Sequence, residues 1–206
     1  MISPFDYFKN IKNKVLTKQE INEMITLDLN KGAAFTLDLE KEFPTLNSVQ
    51  GTMVWHSTEK LDLDFFLVQL DAAGKIHAAS DVVYFNNKFN SNKSVSVPFD
   101  SKDNDVPEDF IINLNEVPEH YKSIAVFSFL FKAVENKQTL GMITKGNFIL
   151  KDSETGDNVV SYNLADYVSD TSLHIGNFVR TDKGWTFEPE GVSSTMQVND
   201  VINFYA

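Results

Sequence analysis

The sequence contains no cysteine, which excludes disulfides, thiolate zinc sites, iron–sulfur clusters and cysteine nucleophiles. The absence is also compatible with a reducing compartment. No stretch approaches the roughly 20 apolar residues that span a membrane, and the N-terminus lacks the apolar run of a signal peptide. A soluble cytoplasmic protein is therefore expected. The 4 histidines (His56, His77, His120 and His174) are scattered and lack the spacing of a zinc site.

Basic residues are scarce as well. The 206-residue chain has 18 Lys and Arg against 29 Asp and Glu, which gives a net charge of −11. Such a chain repels phosphate backbones, so no nucleic-acid partner is expected, and it attracts cations. Hydrophobic residues make up 42% of the chain, enough for a packed core. No P-loop, dinucleotide fingerprint or Gly-x-Ser-x-Gly motif is present, and no enzyme activity is expected.

The chain divides into an N-terminal helical extension, residues 1–23, and a body, residues 24–206. In the extension, Ser3-Pro4 resembles a helix start, and apolar residues from Phe5 to Leu16 recur at helical spacing. Two interpretations remain open: a helix packed on its own domain, or one that docks on a partner or a membrane surface. Because the extension is net positive and the body is acidic, we expect it to be dispensable for folding and needed for a partner contact or self-association.

The body has the alternating pattern of about a dozen short strands, typical of an all-β fold, a two-sheet antiparallel β-sandwich. Hairpins are predicted between Ile25–Leu29 and Phe35–Leu39, around Asp152–Asp157, and around Thr181–Gly184. The apolar residues of Ser193–Tyr205 are spaced as in a closing C-terminal helix.

Two segments are apolar on both strand faces, Phe65–Val68 and Ala125–Phe127. This pattern predicts central strands of the two-sheet core. Most of the 17 Phe residues are expected to pack in that core. Core packing is favoured over the alternative that they line a ligand pocket.

An acidic pair at the entry to one of these strands is a candidate functional site. Asp62 and Asp64 alternate with leucines, so both carboxylates project from one strand face, with α-carbons about 6.6–6.8 Å apart. Two carboxylates at the rim of a core repel each other and are costly to desolvate unless a metal or a base such as Lys60 balances them. A glycosidase pair is disfavoured, because catalytic carboxylates usually come from separate strands across a cleft.

A second acidic group occupies the loop at residues 100–109. Its density of carboxylate oxygens suits Ca²⁺, which takes six to eight oxygen ligands in adaptable geometry. Together with the acidic pair, the loop predicts one calcium site. The predicted ligands are Asp62, Asp64, Asp100, Asp103, Asp105 and Glu108.

Three segments, in this order and spacing, resemble the TerD family of tellurium-resistance and chemical-stress proteins. Leu61–Asp64 reads Leu-Asp-Leu-Asp, Asp81–Asn87 ends in an aromatic residue and two asparagines, and Gly176–Phe187 reads as a late strand pair. The resemblance covers roughly residues 24–195. It implies a β-sandwich that binds calcium at an acidic cluster and acts, without an established catalytic reaction, through protein partners of a stress-response complex tied to tellurite, other toxic agents and phage defence. Any membrane association would be indirect or through the extension.

The sequence departs from the family pattern in the acidic loop. Val106 and Pro107 stand where acids are expected, and Lys132 replaces a usual aspartate. These departures imply one calcium site rather than two. They also leave open a metal-free interaction scaffold of the same fold, in which Lys132 and Lys102 neutralise the carboxylates.

Overall fold

The computed structural model describes most of the body of the chain, in four ranges: residues 26–27, 36–98, 107–163 and 169–206. Some predicted features lie outside these ranges, namely the N-terminal extension (residues 1–23) and three of the predicted calcium ligands, Asp100, Asp103 and Asp105.

Twelve strands, numbered in chain order, form two six-stranded sheets. The first sheet has the order β1-β10-β9-β3-β7-β6, and its pairs are antiparallel except for the parallel pair of β1 with β10. Its strands are β1 (Thr26–Leu27), β3 (Ser48–Ser57), β6 (Val95–Ser96), β7 (Glu108–Asn113), β9 (Ile143–Asp152) and β10 (Asn158–Asn163).

The second sheet has the order β2-β12-β11-β8-β4-β5 and is antiparallel throughout. Its strands are β2 (Leu37–Asp38), β4 (Leu63–Leu70), β5 (Val82–Val83), β8 (Ser123–Leu130), β11 (Ser172–Thr181) and β12 (Gly184–Ser194). The helices are α1 (Leu39–Glu42), α2 (Ala133–Asn136), the C-terminal helix α3 (Val198–Tyr205), and the 3₁₀ turns Ala79–Asp81, Leu114–Glu116 and Leu140–Met142. The predicted two-sheet β-sandwich is therefore confirmed.

The predicted hairpins have different outcomes. The connections β9–β10 and β11–β12 are hairpins, as predicted from their turn residues. The first predicted hairpin is wrong, because β1 pairs with β10 in one sheet and β2 pairs with β12 in the other. Alternation identified both segments as strands, but distant partners decide which sheet each one joins.

The main core lies between the sheets and is rich in aromatic rings. Phe65 of β4 meets Phe110 of β7 edge-on, with ring centroids 5.0 Å apart, and Phe110 stacks on Phe148 of β9 at 6.1 Å. Phe178 and Phe187, from β11 and β12, add a further contact at 4.9 Å. All five rings are fully buried. Most of the hydrophobic stabilisation therefore comes from long-range contacts across the two sheets.

A second apolar cluster covers the outer face of the second sheet. Phe66 and Val68 of β4 and Phe127 of β8 point away from the first sheet and pack under the C-terminal helix, whose Val201 is fully buried. This cover explains why β4 and β8 are apolar on both faces. The sequence predicts this helix over Ser193–Tyr205. It begins instead at Val198, and Ser193 and Ser194 belong to β12. Within the described ranges, no helix has the length and apolar character needed to cross a bilayer.

Candidate functional site

The acidic pair lies at the start of β4, on the outer face of the second sheet. Asp64 pairs with Phe129 of β8, and its side chain follows the same face as Phe66. Only 8% of Asp64 is exposed. The backbone carbonyl of Asp62 accepts a hydrogen bond of 2.8 Å from the N–H of Phe131, which fixes the strand entry against the end of β8. The predicted rim position is thus the rim of the outer cluster, not of the core between the sheets.

Glu108 occupies a different compartment. It opens β7 and is 1% exposed, and strand alternation places it on the same inward face as Phe110 and Ile112. Its side chain therefore faces the space between the sheets, whereas Asp64 faces away from that space. In the part of the chain that the structure describes, no three His, Asp or Glu side chains converge as a metal site would require.

The described carboxylates have the right chemistry for calcium but are too few. Asp62 and Asp64 offer two oxygens each, and calcium takes six to eight. The remaining ligands would have to come from residues 99–106 or from water, and those residues lie outside the described ranges. The described residues therefore provide only part of a calcium site, namely the acidic pair.

A cavity of about 290 Å³ lies beside Asp64 on the outer face of the second sheet. Gln197, Val198 and Asn199, at the start of the C-terminal helix, form one side of it. Aromatic residues from three segments supply much of the remaining wall. They are Phe66, Tyr84, Phe85, Phe129 and Phe131.

These rings form a connected series of contacts. Phe66 lies 5.5 Å from both Tyr84 and Phe129, measured between ring centroids. Tyr84 meets Phe85 at 5.3 Å, and Phe85 meets Phe131 at 5.7 Å, both edge-to-face. Edge-to-face contacts are a favourable arrangement for aromatic pairs, so the wall is held by its own packing. The sequence pattern favours core packing for the phenylalanines and does not predict that these rings share a cavity wall. The sequence signal for this cavity wall is the aromatic pair Tyr84-Phe85, which precedes Asn86 and Asn87.

Lys132 also lines this cavity. It adopts the left-handed conformation (φ 52°) at the junction between β8 and α2. Its Nζ lies 5.4 Å from the centroid of the Phe131 ring and 4.0 Å from Oε2 of Glu135. The lysine that the sequence offered as an alternative to a metal thus lines the same cavity as Asp64.

A buried carboxylate at the other end of β4 has a structural role. Asp81 is 2% exposed and accepts hydrogen bonds from the Tyr121 hydroxyl (2.5 Å) and the N–H groups of His77 (2.7 Å) and Ala78 (3.0 Å). Burial alone would raise the pKa of Asp81, but these hydrogen bonds lower it below its ordinary value. Burial and the bond to Asp81 raise the pKa of Tyr121. This ionised aspartate fastens the β4–β5 connection to the segment before β8.

The chain is a β-sandwich of two mostly antiparallel sheets with a helix on one outer face. An acidic strand entry beside an aromatic cavity gives it a candidate binding site outside the main core. A family model for the TerD domain matches residues 25–205. The chain therefore belongs to the TerD domain family, as its resemblance indicated.

Known relatives agree with this assignment. The chain is similar to General stress protein 16U of Bacillus subtilis, with 27% identity over 81% of this chain and 90% of that protein. It is also similar to the Tellurium resistance protein TerD of Serratia marcescens, with 25% identity over the same shares. A crystal structure of a homologue of the telluride resistance protein (TerD) from Streptomyces coelicolor A3(2) matches with a TM-score of 0.62 and 13% identity. That match covers 75% of this chain and 94% of that one, and it supports the fold alone.

Proposed function

We propose that the chain is a non-catalytic, calcium-binding stress-response module that acts in the cytoplasm through protein partners. Its family and the names of its relatives place it in a stress and tellurium-resistance context. The calcium ion would bind at the acidic pair, Asp62 and Asp64, and residues 99–106 would complete the site.

The position of Asp64 is the observation that carries this proposal. Its carboxylate is almost fully buried at the edge of an apolar cluster, and Asp62 precedes it by one strand repeat. Moving charged carboxylates out of water is costly unless an opposite charge lies close by. A divalent cation bound at the strand entry would provide that charge and would tie the acidic loop to the sheet.

The proposal is tested by thermal melts of the full chain in millimolar calcium and in excess chelator. At a calcium concentration of 100 times the dissociation constant, binding to the folded state adds about 2.7 kcal/mol of stability. For a chain of this length, the expected rise in melting temperature is roughly 5–11 °C. The double variant Asp62→Asn/Asp64→Asn should lose this rise.

A matched control removes the same charge elsewhere. Asp182→Asn/Glu154→Gln neutralises two exposed carboxylates in hairpin loops and should keep the full calcium response. If wild type melts at one temperature in both buffers and calorimetry detects no bound ion, the calcium part of the proposal is wrong. A response that survives the double variant would place the ion elsewhere, in the acidic loop alone.

The alternative is a metal-free TerD-like scaffold that works through the same protein partners. The presence of Lys132 in the cavity wall beside Asp64 favours it, since an ammonium group can balance a carboxylate without a metal. Under this alternative, Lys132→Gln should lower the melting temperature in chelator, and calcium should not restore it. Under the calcium proposal, the same substitution should strengthen calcium binding by removing a competing charge.

A further inference from the structure

We infer that the aromatic cavity beside Asp64 is a binding site for a small organic cation, an ammonium group carried on an apolar or aromatic body. This inference goes beyond the proposed calcium function, and its test is run without calcium. It rests on three features: the aromatic wall, the carboxylate within that wall, and the ammonium group that already lies on one of the rings.

The walls suit an organic body rather than a bare ion. The cavity holds about 290 Å³ and has the rings of Phe66, Phe85 and Phe129 in its lining. Concave sites with mostly apolar walls and a few polar groups are typical of small-molecule sites. Calcium requires six to eight oxygens, and ring faces supply none. Ring faces do attract cations, because the aromatic quadrupole places negative charge above the ring plane.

Asp64 supplies the charge that selects a cation. It is the acidic residue among the described residues that line the cavity, and it is 8% exposed. A carboxylate in a partly desolvated wall attracts a positive ligand more strongly than it would in water, because the surrounding dielectric screens it less. An anion of equal size would be repelled by the Asp64 carboxylate and attracted by Lys132, so removal of Lys132 should sharpen the preference for a cation.

Lys132 already places an ammonium group over one ring of the wall. Its Nζ lies 5.4 Å from the centroid of the Phe131 ring. The lysine side chain is 54% exposed, so it can leave the ring when a ligand enters. The lysine therefore acts as a resident competitor for the ligand, and its removal should tighten binding.

The experiment is isothermal titration of the full chain, in chelator, with benzylammonium. Benzyl alcohol and benzoate have a similar aromatic body with no charge or with a negative charge, so they separate the contribution of the cation. Benzylammonium should bind about fivefold more tightly than benzyl alcohol, or better, and benzoate more weakly than either. Absence of benzylammonium binding, or equal binding of benzoate, would overturn the inference.

Variants locate the site and keep the test independent of folding. Asp64→Asn should weaken benzylammonium binding about fivefold or more and leave benzyl alcohol nearly unchanged. Phe131→Leu changes a half-buried ring and should weaken the binding of benzylammonium severalfold. This variant preserves the test if Asp64→Asn does not fold. Lys132→Gln should tighten the binding of benzylammonium about twofold or more. Weaker benzylammonium binding in Lys132→Gln would contradict the role of Lys132 as a competing cation and refute the assignment.

The matched control is a second lysine–phenylalanine pair outside the cavity. Nζ of Lys93 lies 6.0 Å from the ring centroid of Phe89, which is 47% exposed. Phe89→Leu should leave benzylammonium binding unchanged, because this ring does not line the cavity. If Phe89→Leu and Phe131→Leu weaken binding equally, the ligand binds exposed rings at large and the cavity is not a site. Loss of the calcium response by Asp62→Asn with retained benzylammonium binding would separate this inference from the calcium proposal.

Discussion

Gly51 lies where the two sheets leave no space for a side chain. It stands in β3 opposite Phe110 of β7. A β-carbon built on Gly51 would lie 2.1 Å from Cε1 and 2.2 Å from Cζ of the Phe110 ring. Real β-carbons do not approach that closely, so Gly51→Ala forces the ring to move. The ring is 0% exposed and contacts Phe65 at 5.0 Å and Phe148 at 6.1 Å between centroids, so its displacement disturbs the centre of the main core.

The expected cost follows from this overpacking. Extra carbon atoms in a well-packed core destabilise a protein by about 1–3 kcal/mol. For a chain of this length, that corresponds to a fall in melting temperature of roughly 2–12 °C. The value for Gly51→Ala should lie in the upper half of the range, because three atoms of the Phe110 ring would lie within 2.8 Å of the added β-carbon and the ring has neighbours on both sides.

The assay is a double-mutant cycle measured by thermal or urea unfolding. Wild type, Gly51→Ala, Phe110→Leu and the double variant are compared, with the leucine providing the space that the methyl group needs. Gly51→Ala should cost less in the Phe110→Leu background than in wild type, with a coupling free energy of about 0.5 kcal/mol or more. A Gly51→Ala variant that melts within about 1 °C of wild type, or a cost that is the same in both backgrounds, would refute the reasoning.

Two further substitutions test polar contacts around the segment before β8. Tyr121→Phe removes a hydrogen bond to the ionised Asp81 and should lower stability by about 1.5–3 kcal/mol at neutral pH. Because the pKa of folded Asp81 is depressed, its contribution exists above the unfolded value of about 3.9 and is lost as pH falls through the folded pKa. Melts at pH 7 and at progressively lower pH should thus show the variant and wild type converging in acid, and a constant difference would contradict this account. Arg180→Lys should cost about 1–2 kcal/mol in urea unfolding, because Arg180 donates to the carbonyls of Tyr121 (3.1 Å) and Val117 (2.7 Å) and lies 4.3 Å from the Trp185 ring. An unchanged unfolding midpoint would show that a lysine satisfies the same site.

Local signals made much of the fold predictable. The turn at Thr181–Gly184 ends in Gly184 at φ 134°, a conformation that glycine tolerates, and the flanking segments alternate in register. The loop at Asp152–Asp157 likewise carries its own turn hydrogen bonds, from the N–H groups of Glu154 and Thr155 to the Asp152 carboxylate. Features that depend on residues close in sequence were readable from sequence.

The partners of β1 and β2 and the compartments of the acidic residues depend on distant segments. Alternation placed Asp62, Asp64 and Phe66 on one face correctly, but the identity of that face depends on the C-terminal helix that covers it. The sequence groups Glu108 with Asp64 because Glu108 belongs to the acidic loop that is expected to share a calcium ion with the acidic pair. Strand alternation instead places the Glu108 side chain between the sheets, because Phe110, two residues further along β7, lies on the inward face.

The order of strands in the second sheet has a consequence for how the protein reaches its native state. β2 lies at one edge of that sheet and pairs with β12, so that Leu37 meets Phe187. The pairs β8–β11 and β4–β8 likewise join segments far apart in the chain, and ordering the intervening residues costs loop-closure entropy before their contacts form. Folding of such all-β topologies is slow, from milliseconds to seconds. During that time Phe65–Val68, apolar on both faces, has neither the opposite sheet nor its helix to cover it. The same long-range pairing that builds the native sandwich therefore leaves an apolar segment uncovered during folding, which favours aggregation.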